Sequence, residues 1–147
     1  MAIDYSNLGA IYHDQGNLGQ AEEYINKALA IDLRLFGEHH STVATNYNNL
    51  GLIYKKQGNL DKAAVYINKA LAIDLKLFGE NHHTVVRDYN NLGQIYQDQG
   101  NLEKAAKYFK KTLEIALKLF NENHPIVTML VNKLKTISQG GAKKFYD

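Results

Sequence analysis

Residues 43–84 read VATNYNNLGLIYKKQGNLDKAAVYINKALAIDLKLFGENHHT, and this stretch decides the fold. Val43, Tyr47, Leu50, Gly51 and Tyr54 recur at i, i+4, i+7, i+8 and i+11, which is one face of an α-helix. Gln57-Gly58-Asn59 ends that helix. Gly58 supplies a left-handed residue at its end, and Asn59 stands where the next helix needs an N-cap. Leu60, Ala63, Ala64, Ile67, Ala70, Leu71, Leu75 and Phe78 then cover a wide apolar arc, which fits a helix packed on two neighbours. Gly79 stops this second helix. The unit is therefore a helix A of about 14 residues, a tight turn, a helix B of about 19, and a polar loop. Gly51, Ala63 and Ala70 lie where the two helices must come close.

The same unit stands on either side of residues 43–84. Leu8, Leu50 and Leu92 are in register, as are Gly9, Gly51 and Gly93, Ala21, Ala63 and Ala105, and Phe36, Phe78 and Phe120. Residues 1–42 match 43–84 at about two thirds of positions, and 43–84 match 85–126 slightly less well. A fixed period in this range predicts a stack in which each unit buries its apolar face on its neighbours. The expected fold is all-α: an array of three helix-turn-helix repeats, at about 1–42, 43–84 and 85–124, within residues 1–138. Residues 125–138 keep an A-helix pattern from Pro125 onward, but Lys135 replaces the glycine of the full copies. They are expected to form a C-terminal capping helix, and 139–147 a flexible tail. Met1-Ala2 opens helix A without a cap, so the chain reads as a piece of a longer array.

A net charge of +2 is too small to suggest a nucleic acid or an anionic membrane as partner, and neither is expected. With no cysteine, a disulfide scaffold and a thiolate zinc site are both excluded. No apolar run approaches membrane-spanning length and no signal peptide opens the chain, so a cytoplasmic location is expected. No nucleophile elbow or phosphate-binding loop is present, and the glycines punctuate helices. No enzymatic activity, catalytic residue or cofactor is expected. His39-His40, His82-His83 and His124 recur in loops a whole helix pair apart, too far for shared ligation of one ion, so no metal site is expected either.

The run Tyr47-Asn48-Asn49-Leu50-Gly51-Leu52-Ile53-Tyr54, followed by Gln57-Gly58-Asn59-Leu60, Ala63, Tyr66-Ile67 and Lys69-Ala70-Leu71, resembles the tetratricopeptide repeat. All three copies keep its order. The 42-residue period and the ending Leu77-Phe78-Gly79-Glu80-Asn81-His82 are similar to the longer form in kinesin light chains and nephrocystin-3-like proteins. The resemblance covers residues 2–138. It implies an α-solenoid that binds a protein or peptide segment in a concave groove lined by the A helices. The groove positions it implies are Asn7, Asn48, Asn49, Leu52, Lys55, Lys56, Arg87, Asn90, Asn91 and Gln94. An amide there can donate and accept at once, and so can pair with a peptide backbone of any sequence. The family's carboxylate clamp is not implied, because Ser6 and Ala10 stand at two of its positions. The competing reading is a structural spacer, or a self-associating segment of a larger multidomain regulator, with no dedicated ligand. Weak self-association is expected through the bare N-terminal edge.

A helical wheel places Asp32 and Asp74 in the apolar arc of helix B. A buried carboxylate needs a partner. The third copy carries Ala116 there, and the A helix that follows it carries Val131 where Tyr47 and Tyr89 stand in the earlier junctions. Acid and phenol thus disappear together, which predicts structural Asp32–Tyr47 and Asp74–Tyr89 hydrogen bonds between repeats.

Overall fold

A computed structural model describes the backbone of residues 1–146 and the side chains of residues 1–139. The tail expected at 139–147 falls, beyond Gln139, outside the residues described in full. Among the described residues there are seven helices and no strand. They are α1 (Ala2–Asp14), α2 (Leu18–Phe36), α3 (Ser41–Lys56), α4 (Leu60–Phe78), α5 (His83–Asp98), α6 (Leu102–Leu119) and α7 (Pro125–Tyr146). The chain divides into two compact units, Met1–Leu77 and Phe78–Asp147.

In the first unit α1 packs on α2, α2 on α3, and α1 lies beside α3. The tight A-to-B turns rest on glycine: Gly58 has φ +84°, which L side chains rarely adopt. Asn59 caps the second helix by accepting from the Lys62 N–H at 3.3 Å. Close approach inside the repeat depends on Gly51. A Cβ built there would lie 2.5 Å from Ile67 Cδ1 and 3.2 Å from the Ala63 carbonyl oxygen. The core of this unit is Ala21, Ile25, Ala28, Val43, Leu50, Ile53, Ala63, Ile67 and Ala70, the positions that set the repeat.

The second unit repeats the plan with α5, α6 and α7. Here Phe109 takes the place of Ile67, and a Cβ on Gly93 would lie 2.5 Å from its ring. Leu92, Ile95, Ala105, Phe109, Ala116, Val127 and Leu130 form the core.

Each B-to-A loop is built from a phenylalanine and a histidine. The rings of Phe36 and His40 stack at 4.2 Å, Phe78 and His82 at 4.0 Å, and Phe120 and His124 at 4.2 Å. The same histidines cap the A helices. Nδ1 of His40 accepts from Thr42 N–H, that of His82 from Thr84 N–H, and that of His124 from Ile126 N–H, each at 3.2 Å. The loop histidines thus satisfy an amide that a helix start leaves open.

Asp32 corrects one expectation. It is buried, but its partner is Asn46: the Asn46 amide Nδ2 donates to Asp32 Oδ2 at 2.7 Å. Asn46 Oδ1 in turn accepts from the Ser6 hydroxyl at 3.2 Å. Tyr47 is the next residue on α3, about 100° further round the helix. It faces its own repeat instead, 5.9 Å from the ring of Tyr66 and with Lys69 Nζ 5.4 Å from its ring centre. Asp74 is buried as well, and Tyr89 packs within the second unit on Tyr108 and Lys111.

Candidate functional site

The residues expected to face a groove separate into three groups. In the first unit, Asn7 is exposed on α1 and Asn49 is half-buried on α3. Neither has a hydrogen-bond partner among the described residues. Asn49 and Leu52 line a small open cavity of about 70 Å³ between α1 and α3, walled by Gly9, Ala10, Ile25 and Ile53.

Asn48 behaves differently. It is only 2 % exposed and has a partner, so it is part of the packing. Adjacent residues on a helix point about 100° apart, so Asn49 faces outward where Asn48 faces inward. Lys55 is half-buried and engaged, and Lys56 donates from Nζ to the His13 carbonyl at 3.3 Å.

In the second unit, Arg87 is committed to Asp88: Nη2 lies 3.2 Å and Nε 3.2 Å from Asp88 Oδ1. Asn91 is buried and has a partner, and Gln94 also has one. Asn90 is half-buried, and its Oδ1 is buried without a hydrogen bond among the described residues.

A larger cavity opens at the corner where the first turn of α1, the last turns of α2 and the start of α3 meet. It measures about 450 Å³, within the usual range for ligand sites. Its walls are mostly apolar, with Ile3, Ile31 and Leu35 prominent, and its polar lining includes Ser6, Asp32 and Asn46. Sequence reading missed this site. Its available signal was a carboxylate in the apolar arc of helix B close to exposed aliphatic residues.

Aromatic trios join the two helices of a repeat. Tyr54 and Tyr47 flank Tyr66 at 5.3 and 5.9 Å, and Tyr96 and Tyr89 flank Tyr108 at 5.4 and 6.0 Å. Lysines lie over these rings, Lys62 Nζ 4.6 Å from the Tyr54 centre and Lys104 Nζ 4.5 Å from that of Tyr96. Tyr54 also donates to Glu22 at 2.9 Å. Burial, and then this bond to a carboxylate, push its phenol well above the ordinary range. Among the described residues no three His, Asp or Glu side chains gather as metal ligands would.

No curated protein matches the chain. Among solved structures, BtubC from P. vanneervenii is similar over 96% of this chain and 56% of its own, at 26% identity and a TM-score of 0.88. The nearly identical TPR-like repeats of a kinesin light chain-type protein from Podospora anserina match 95% of this chain and 66% of theirs, at 19% identity and a TM-score of 0.83. The TPR2AB domain of yeast Sti1, in its pHSP90 complex, matches 99% of this chain and 50% of its own, at 21% identity and a TM-score of 0.75. The chain thus spans less than two thirds of each of these structures. The family model described as tetratricopeptide repeat matches residues 1–76 and, overlapping them, 42–118. With the 42-residue period, the glycine-mediated helix contacts and this match in agreement, the chain belongs to the tetratricopeptide repeat family.

Proposed function

We propose that the chain is a protein-interaction module whose α1/α3 face takes an extended peptide segment of a partner protein. The observation that carries this reading is Asn49. Its half-buried amide has no partner among the described residues and stands beside an apolar cavity, with the exposed amide of Asn7 on the neighbouring helix. Such an amide can read a peptide backbone while the cavity takes a side chain. The yeast Sti1 array in its pHSP90 complex is an example of this fold engaging a protein partner. No helix among the described residues is long and apolar enough to cross a membrane. A cytoplasmic location, with neither nucleic acid nor a lipid surface as partner, belongs to the same reading.

The test is selection of a displayed peptide library on the intact chain. An enriched motif should lose at least about fivefold in affinity in the Asn7→Ala/Asn49→Ala variant, given about 0.5–1.5 kcal/mol net per hydrogen bond and one bond from each residue, with helical content unchanged. No enrichment, or enrichment insensitive to both asparagines, sinks the reading.

Exposure of α1 favours a second reading, that of a self-associating repeat segment. Leu8 and Ile11 are 37% and 51% exposed, whereas their counterparts Leu50 and Ile53 are 0% and 1% exposed. In the second unit, α6 and α7 leave an open groove of about 520 Å³ with Leu113, Val131 and Leu134 among its lining and Lys110 and Lys135 beside them. Sedimentation should show concentration-dependent association that Ile11→Lys abolishes. A strict monomer at high concentration removes this alternative.

A further inference from the structure

The corner cavity of the first unit holds a charge that the protein itself does not neutralise. Asp32 is only 6% exposed. Its Oδ2 accepts from Asn46, and Asn46 is held in orientation by the Ser6 hydroxyl. Its other oxygen has no partner, and no lysine, arginine or histidine pairs with it, among the described residues. A buried carboxylate is costly until a cation or further donors meet it. This one lines an open cavity of about 450 Å³ whose remaining surface is largely aliphatic.

We propose that this cavity is a subsite for a basic side chain, lysine or arginine, of the bound peptide. The proposal rests on the reading of the α1/α3 face as a peptide groove and names the chemistry that groove selects. The cation meets the free Asp32 oxygen, and the methylene stem lies along Ile31 and Leu35, as long basic side chains do on apolar surfaces. Ile3 covers the residue next to it. An acidic peptide is repelled here. A purely apolar one leaves the carboxylate buried and uncompensated. The third junction serves as an internal control, since Ala116 and Leu130 replace Asp32 and Asn46 and there is no charge to satisfy.

The experiment titrates the full ¹⁵N-labelled chain with two acetylated, amidated tripeptides, Leu-Lys-Leu and Leu-norleucine-Leu, followed by NMR. The lysine peptide should bind about tenfold more tightly, as a charge-assisted hydrogen bond allows. Its shifts should centre on Ile3, Ser6, Asp32 and Asn46. Asp32→Asn keeps an oxygen for the Asn46 amide and removes the charge, so the preference should vanish. Equal affinity for the two peptides, shifts elsewhere, or a preference that survives Asp32→Asn overturns the proposal. Should that variant fail to fold, the wild-type comparison alone decides. A library motif without a basic residue that still depends on Asn49 overturns this subsite and leaves the groove standing. A lysine preference with no library motif does the reverse.

Discussion

The first junction, α1 to α3, and the last, α5 to α7, are built on one plan and differ at three linked positions. Ser6, Asp32 and Asn46 form a hydrogen-bonded chain in the first. Asn90, Ala116 and Leu130 occupy those places in the last. Ala116 and Leu130 are fully buried, and the oxygen of Asn90 is buried without a partner among the described residues. A polar chain of this kind works as a set. Replacing two members by apolar residues packs well at both positions and strands the third. The comparison also separates two uses of one architecture: the last junction closes its apolar core, and the first keeps a charge beside an open cavity.

The largest effect is expected from Asn46→Leu, which gives the first junction one residue of the last. It leaves Asp32 buried with no donor and should cost about 3 kcal/mol in urea unfolding, at the upper end for a hydrogen bond to a charged group. Adding Asp32→Ala should recover most of that loss, because it completes the apolar version. A single variant as stable as wild type would show that the two junctions do not differ energetically. Next comes Gly93→Ala, expected to cost about 2 kcal/mol. Gly51→Ala should cost less, because the flexible Ile67 tip can move aside where the Phe109 ring in the second unit cannot. A reversed order in thermal unfolding would refute that account.

A smaller gain is expected from Asn90→Ala. Removing the stranded oxygen should stabilise the second unit by about 1 kcal/mol, whereas Ser6→Ala in the first should destabilise slightly. Opposite signs in the same denaturation assay are the readout. The smallest effect concerns alkaline pH. The Tyr54 phenol is raised in the folded state, so its contribution is full below about pH 10, the unfolded value, and is lost as pH rises through the folded one. Tyr54→Phe should therefore flatten the fall in stability above pH 10. An unchanged slope would mean that the Glu22 bond contributes nothing.

The helices and their close contacts were legible because they repeat. Gly51 and Ala63 recur in register, and a position that repeats three times in a helical pattern is fixed by packing. The burial of Asp32 was legible from the wheel. Its partner was not, because Asn46 and Tyr47 are adjacent and both vary at the same junction, so covariation located the contact on α3 without choosing the residue. The Asn48–Asn49 pair posed the same problem, and solvent exposure decided it. The histidine caps went unread because serine, threonine, aspartate and asparagine are the usual N-caps. The spacing of Phe36, His40 and Thr42, repeated at Phe78, His82 and Thr84, was the signal.

Those caps have a consequence for how such a chain can change over time. Phe36 to Thr42 makes its stack and its cap with residues from within one short stretch. A joint made only of sequence neighbours survives being cut from one copy and joined to another. Genetic crossover between equivalent points in two copies would rebuild a complete loop every time, so the number of repeats can grow or shrink without a new connection having to be invented.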